Sequence, residues 1–228
     1  MFNSAPSREH DAGARRERLL KAAAAVFAKD GFEKASLRAI CLKAKANVAA
    51  VKYYFGSKDG LYREVFLSSC QDSMKKDAPV TLADGASPED TLRRWIHHLL
   101  DHVLLKRAKN PVKSQIMAHE MRDPTPCLNE FIRLVVGPFH EELQRIIAAV
   151  MGRKKVDEDC ILYCHHIIGL CLHYDHCRVF IDRLGPPVPK TAPEVQRLAD
   201  NIADFVLGAL TSQRSAKPKS STSSKQKS

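Results

Sequence analysis

Residues 31–66 read GFEKASLRAICLKAKANVAAVKYYFGSKDGLYREVF and contain three positions typical of helix starts. Ser36, Asn47 and Ser57 are residue types whose side-chain oxygens cap the free N–H groups at a helix N-terminus. The apolar periodicity upstream of this stretch stops at Gly31, a residue typical of helix C-termini. The pattern predicts consecutive helices at 14–29, 36–43, 47–54 and 58–76.

Three short helices joined this closely match the plan of a helix-turn-helix module. On a helical wheel, one side of the helix at 47–54 carries Ala50, Val51 and Tyr54, which can pack on the neighbouring helices. The other side carries Val48, Ala49, Lys52 and Tyr53. This second side suits the major groove of DNA, because small apolar groups meet thymine methyls and lysine reaches guanine acceptors. The alternative is a buried helix that serves only as core, for which eight residues are short.

The net charge of +10 is concentrated at the two ends of the chain. Residues 1–60 contain 12 Lys/Arg and 6 Asp/Glu, and residues 212–228 contain 5 Lys/Arg and no acid. Basic segments attract polyanions, of which nucleic acid is the commonest. Charge alone is equally compatible with a role in solubility.

Helical periodicity continues beyond residue 60 without any useful alternating stretch, so the predicted fold class is all-α. The further helices are expected at 88–108, 111–121, 126–151, 156–183 and 191–211. Pro138 is expected to kink or split its helix near Val135, because proline removes a backbone hydrogen bond. The predicted organisation begins with a flexible basic arm at 1–13 and an N-terminal three-helix domain with the helix-turn-helix at 14–60. A larger C-terminal helical domain at 61–211 and a disordered Ser/Lys-rich tail at 212–228 follow.

The N-terminal helices resemble the DNA-binding domain of TetR/AcrR-type transcriptional regulators. The matching positions are Phe27, Gly31-Phe32, Ser36-Leu37-Arg38-Ala39-Ile40, Asn47-Val48-Ala49-Ala50-Val51, Tyr53-Tyr54-Phe55, Ser57-Lys58 and Leu61. The stretch NVAAVKYYFGSKDGLY at 47–62 is most similar to the CecR-like branch of the family, and 115–180 resembles that branch's C-terminal domain more weakly.

This resemblance implies a ligand-responsive repressor that binds a palindromic operator on double-stranded DNA as a homodimer. A small-molecule effector in the C-terminal domain, which is also the dimerisation domain, would release it. Carried over by position, the base-facing residues are Val48, Ala49, Lys52 and Tyr53, and the phosphate-holding residues are Ser36, Tyr54 and Lys58. Arg38, Lys45 and Asn47 complete the predicted DNA-binding set.

One turn departs from the family pattern. The family usually has Ala-Gly-Val between the second and third helices, and this chain has Ala44-Lys45-Ala46. A lysine in a left-handed conformation costs on the order of 1 kcal/mol relative to glycine. We therefore expect a looser DNA-binding domain in which Lys45 adds a phosphate contact, and a regulator-like fold that has lost DNA binding is a further alternative.

Several apolar residues of the C-terminal domain are predicted to line the effector site. Methionine and aromatic residues at helical spacing usually form core, but in a family built around a ligand cavity they can also line it. The predicted lining residues are Trp95, Met117, Met121, Phe139 and Cys171.

Residues 160–177, CILYCHHIIGLCLHYDHC, are rich in Cys and His. Cys160, Cys164 and Cys171 recur on one helical face, and His173 and Cys177 have a spacing suitable for metal ligands. Because reduced cysteine behaves as a small hydrophobe, core and dimer packing is the first interpretation. The alternative function is a metal- or thiol-dependent protein, either a sensor or an all-α enzyme, that uses this Cys160–Cys177 cluster.

The remaining patterns exclude several classes of protein. There is no HExxH, Gly-rich phosphate loop or nucleophile elbow, so we expect no enzyme, no cofactor and no metal site. The apolar runs are too short to span a bilayer, and the first residues lack the apolar stretch of a secretion signal. Seven scattered cysteines without a paired framework are typical of reduced thiols. We therefore expect a cytoplasmic protein without a membrane partner. Two apolar stripes predict a four-helix dimer interface: Ile161, Cys164, Ile168 and Cys171, and Val195, Leu198, Ile202, Phe205, Val206 and Leu210.

Overall fold

The structure is a computed structural model that describes residues 5–76, 80–83, 85–106 and 109–214. Within these ranges the chain is all-α, as predicted, and contains no strand. The first helices are α1 (Ala5–Lys34), α2 (Leu37–Ala44), α3 (Val48–Phe55) and α4 (Lys58–Lys76). They are followed by α5 (Pro88–Asp101), α6 (Pro111–Arg122), α7 (Pro126–Phe131), α8 (Gly137–Val150), α9 (Glu158–His176), α10 (Arg178–Leu184) and α11 (Ala192–Arg214).

The three predicted N-caps are confirmed. Ser36 Oγ accepts a hydrogen bond from the backbone N–H of Ala39 at 3.2 Å, and Asn47 Oδ1 accepts one from Ala50 at 2.9 Å. Ser57 Oγ accepts one from Gly60 at 3.0 Å. Each bond satisfies one otherwise unpaired donor, so the starts of α2, α3 and α4 are set by local sequence.

The ends of the chain differ from the prediction. Helix α1 begins at Ala5, so residues 5–13, expected in a flexible arm, are helical. Its predicted stop is a kink at Gly31, whose φ of 73° is in the region that favours glycine. Helix α11 continues to Arg214, three residues into the predicted tail. Residues 1–4 of the arm and 215–228 of the tail lie outside the described residues.

Two breaks interrupt the C-terminal helices. At the place where Pro138 was expected to kink or split the helix, a π-helical segment at Ile132–Val136 lies between α7 and α8. The single helix expected at 156–183 is wrong, since Cys177, at φ −101° and ψ 17°, separates α9 from α10. Neither proline nor glycine adjoins Cys177, so no local helix-breaking residue predicts this break.

The contacts divide the chain into two units. The N-terminal unit comprises Met1–Pro79 and Lys106–Phe139, and the C-terminal unit comprises Val80–Leu105 and His140–Ser228. The N-terminal unit therefore includes α4, α6 and α7 in addition to the three helices that were expected to form a separate domain at 14–60. Its core contains the rings of Phe27, Tyr62 and Phe66, all nearly inaccessible to solvent.

In the C-terminal unit, α5 packs against α9 and α11. The buried face of α9 carries Cys160, Cys164, Ile167 and Cys171. Of the stripe predicted for the dimer interface, Cys164 and Cys171 lie in this protomer's own core beside Ile167, and Ile161 is 42% exposed. On α11, Val195, Ile202, Val206 and Leu210 of the stripe predicted for the dimer interface are buried within one protomer, whereas Phe205 is 70% exposed.

Replacing Lys45 should change stability in a direction set by its backbone. Lys45 has φ 52° and ψ 47°, the left-handed conformation expected for the turn. We predict that Lys45→Gly raises the free energy of unfolding by about 0.5–1 kcal/mol, because glycine adopts this conformation without the steric cost. Urea unfolding monitored by circular dichroism measures the change.

The control is Lys43→Gly in right-handed α2, expected to lower the free energy of unfolding by a similar amount. Equal signs for the two variants would contradict the strain at Lys45.

Candidate nucleic-acid interface

The inner side of α3 is fixed by packing against the N-terminal unit. Val51 is 1% exposed, and Ala50 and Tyr54 are half-buried against the same core. With α3 packed against α4, these contacts determine which residues of the helix face solvent.

The outer side of α3 is open to solvent. Val48 is 51% exposed and Tyr53 is 83% exposed, and Ala49 and Lys52 are exposed with them. Exposed apolar and aromatic residues that share one helix face with a lysine form a surface able to contact both the apolar and the polar groups of a base edge. The structure thus brings together the four residues predicted to face bases.

Cations surround this outer side. Lys52, Arg38 and Lys45 are exposed, and none has a hydrogen-bond or ion-pair partner among the described residues. The side-chain oxygens of Ser36 and Asn47 serve as helix caps, so their contribution at this surface is to hold α2 and α3 in place. The charges are therefore available to an external anion.

Lys58 makes internal contacts that its predicted phosphate role did not include. Its Nζ donates a hydrogen bond to the carbonyl oxygen of Glu33 at 3.1 Å and lies 4.6 Å from the ring centroid of Phe32. Lys58 thus links the start of α4 to the end of α1. An ammonium has three donors, so a phosphate contact would be an additional bond to a lysine already held in place.

Leu42 is an exposed residue that sequence reasoning missed. It is 82% exposed on α2, one turn after Arg38 and next to exposed Lys43. An apolar residue in a short amphipathic helix is normally assigned to the core, and nothing in the local pattern signals the exception.

Comparison with known proteins identifies the family. Residues 19–65 match the model of the tetR family of bacterial regulatory proteins, and residues 88–210 match the C-terminal domain of the HTH-type transcriptional dual regulator CecR. The chain belongs to the TetR family of transcriptional regulators. Its helix-turn-helix is the family's DNA-binding element, and the regulators of this family are not enzymes.

Individual relatives agree with this assignment. The chain is 29% identical over 170 residues to the dual regulator CecR of Shigella flexneri, covering 70% of this chain and 74% of the relative. It is 29% identical over 175 residues to the repressor NicS of Pseudomonas putida, covering 75% and 80%. A TetR-family crystal structure from Mesorhizobium loti has the same fold, with a TM-score of 0.60, 20% identity and coverage of 87% and 97%.

The five predicted effector-lining residues are divided between the two units of this regulator. Met117, Met121 and Phe139 belong to the N-terminal unit, whereas Trp95 and Cys171 are fully buried in the C-terminal unit. Met121 is 67% exposed and so lines no enclosed cavity here. None of the five lines the cavity of about 220 Å³ in the N-terminal unit or that of about 490 Å³ in the C-terminal unit.

The cysteines of α9 are packed as apolar residues. Cys164 Sγ lies 3.8 Å from Nδ1 of His140, and burial raises the pKa of Cys164 to about 11 and that of Cys171 to about 12. These thiols stay protonated at neutral pH, which disfavours a thiolate or a metal ligand.

Across the described ranges, no group of three His, Cys, Asp or Glu residues could hold a metal ion. Every helix in these ranges is too short or too polar to span a bilayer.

The buried thiol of Cys171 should make stability depend on alkaline pH. Its pKa rises from an ordinary value near 9 to about 12 on folding, so the unfolded chain loses the proton first. This contribution to stability is complete below pH 9 and is lost as the pH rises towards 12. We predict that the free energy of unfolding falls by about 1.4 kcal/mol more in the wild type than in Cys171→Ala between pH 8 and pH 10. Urea titrations at both pH values measure it, and equal falls would contradict it.

Proposed function

We propose that this regulator is a repressor that binds a palindromic operator as a homodimer and leaves the DNA when a small molecule binds its C-terminal unit. The observation that carries the proposal is the outer side of α3, where Val48, Lys52 and Tyr53 are exposed together. The alternative of a buried helix does not apply to a surface this open.

In the proposed complex, α3 enters the major groove. Val48 and Ala49 meet thymine methyl groups, and Lys52 donates to guanine acceptors. Tyr53 is exposed enough to reach a base edge or a phosphate, and its ring lies 4.9 Å from that of Tyr54, which steadies it at the surface.

The phosphates are held around the groove by residues of α2 and the turn. Arg38 and Lys45 lack partners among the described residues, so neither must break an internal ion pair to bind DNA. Ser36, Asn47, Tyr54 and Lys58 complete the proposed contact set. Since each phosphate neutralised by a cation releases counterions, this arrangement makes the affinity fall steeply with salt.

Exposed apolar residues on the last helices support the homodimer. They are Ile161, Leu162 and Leu170 on α9, Val179, Phe180 and Leu184 on α10, and Phe205 on α11. Large exposed apolar residues concentrated on neighbouring elements mark interfaces, and two-fold symmetry would place two copies of α3 on two half-sites.

Effector release is proposed on the family relationship and on the composition of the C-terminal unit. TetR-family regulators bind small-molecule effectors. Trp95 on α5 and Cys171 on α9 remain our proposed lining residues, because both are fully buried on helices that pack together. An effector could reach these residues only by separating α5 from α9. Its binding would therefore change the conformation of the C-terminal unit.

Selection of operators from random duplexes with the purified protein tests the proposal. We predict enrichment of a palindrome and a linear fall of log K with log salt concentration. Lys52→Ala should weaken binding to the selected duplex by about 1–3 kcal/mol and relax the preference at one G·C pair per half-site. Fluorescence anisotropy measures both effects.

The matched control is Lys154→Ala, which removes an exposed lysine from the C-terminal unit and should leave affinity and sequence preference unchanged. Selection without a palindrome, or equal affinity of wild type and Lys52→Ala, would reject the proposal.

A further inference from the structure

Two consecutive residues of α6 reach two different helices of the N-terminal unit. His119 Nε2 lies 3.1 Å from the carbonyl oxygen of Ala28 on α1. The hydroxyl of Tyr62 on α4 donates to Oε1 of Glu120 at 2.6 Å. Neither contact belongs to the DNA-facing surface described above.

The histidine contact has a defined direction. Arg122 Nη2 is 2.9 Å from His119 Nδ1, and a guanidinium can only donate, so Nδ1 accepts. The proton of the neutral ring then lies on Nε2 and is donated to Ala28. The ring also packs on the kink of α1, since a Cβ at Gly31 would come within 3.1 Å of Nδ1. His119 therefore grips α1 where that helix bends.

The carboxyl group of Glu120 is buried, and both of its oxygens accept hydrogen bonds. Glu120 is 0% exposed, and its two oxygens accept from the Tyr62 hydroxyl, from the Thr125 backbone N–H at 3.1 Å and from Thr125 Oγ1 at 2.8 Å. A carboxyl group buried in an apolar core is tolerated when such bonds replace its hydration. Burial, and then the hydrogen bond to Glu120, raises the pKa of Tyr62 above its ordinary value, which keeps the phenol protonated as the donor.

Tyr62 of α4 also contacts α1 directly. Its ring centroid lies 4.8 Å from that of Phe27 and 4.9 Å from that of Phe32, both on α1. Next to these rings, Lys58 of α4 donates to Glu33 of α1. The joint between α1 and α4 is thus held by its own contacts and by both side chains from α6.

We propose that His119 and Glu120 form a clasp that fixes the placement of α1 against α4 and thereby sets the affinity of α3 for DNA. Helix α2 packs on α1 and helix α3 packs on α4, so a change between α1 and α4 displaces the two helices of the DNA-binding element relative to each other. The clasp rests on the proposed function, because its consequence is measured as operator affinity. His119, Glu120 and Tyr62 are positioning residues that do not touch DNA.

Three gentle variants and one control test the clasp. His119→Ala removes the contact with α1, and Tyr62→Phe removes only the hydroxyl that binds Glu120. Glu120→Gln keeps the volume of the side chain, but its amide can accept from the Thr125 backbone N–H only by turning Nε2 toward the two hydroxyls, which leaves the Tyr62 proton without an acceptor. Ile116→Val shortens a buried side chain of α6 in the same core and leaves every hydrogen bond of the clasp in place.

Operator affinity and hydrogen exchange are measured under conditions where circular dichroism shows all variants folded. His119→Ala and Tyr62→Phe should bind the selected duplex roughly three- to thirtyfold more weakly than the wild type. They should also exchange the amides of Ala28–Lys34 and Lys58–Tyr62 faster. Glu120→Gln should change both measurements in the same direction as Tyr62→Phe, because it removes the acceptor of the Tyr62 hydroxyl. Ile116→Val should match the wild type in both measurements.

The outcomes separate the clasp from the proposed function. Unchanged exchange and affinity in His119→Ala and Tyr62→Phe would overturn the clasp while leaving DNA binding intact. A loss of affinity in Ile116→Val equal to that in Tyr62→Phe would also overturn it, because the effect would then follow stability alone. A wild type that binds no duplex, but whose clasp variants show faster exchange, would reject the proposed function and retain the joint.

Discussion

The burial of Val51 is the constraint on which the DNA-facing surface depends. In α3, whose eight residues are all described, Val51 is the fully buried side chain. A buried valine gains about 1.5–3 kcal/mol relative to an exposed one, which is enough to fix the rotation of a two-turn helix. Once that rotation is set, Val48, Ala49, Lys52 and Tyr53 point to solvent together. The packing of Val51 on the inner side of α3 therefore determines which residues can contact DNA.

A helix of eight residues is too short to be stable alone, and the surrounding structure compensates for this. Asn47 satisfies one donor at its start, and Gly56, at φ 75°, closes its end with a bond to the carbonyl of Lys52. Beneath it, the aromatic cluster around Tyr62 supports α4, on which α3 packs. Through the clasp, the position of α4 beneath α3 would depend on the position of α6.

The sequence predicted best what local chemistry decides. Caps at Ser36, Asn47 and Ser57, the break before Pro138 and the two sides of α3 each depend on residues within one or two turns. The structure departs where distant residues decide. Lys58 binds a carbonyl 25 residues away, and Tyr62 meets Glu120 across 58 residues, so neither contact has a spacing to recognise. On α9, the core takes Ile167 and leaves Ile161 exposed, because an apolar run contains several equivalent faces and tertiary packing selects one.

Photo-crosslinking tests the central claim most directly. The protein is irradiated with its selected duplex in which thymines are replaced by 5-bromodeoxyuridine, and the crosslinked peptides are identified by mass spectrometry. The account predicts crosslinks at Tyr53, the exposed aromatic residue of α3, and none at partly buried Tyr163 or Tyr174 of α9. Crosslinks confined to residues outside α2 and α3 would contradict it.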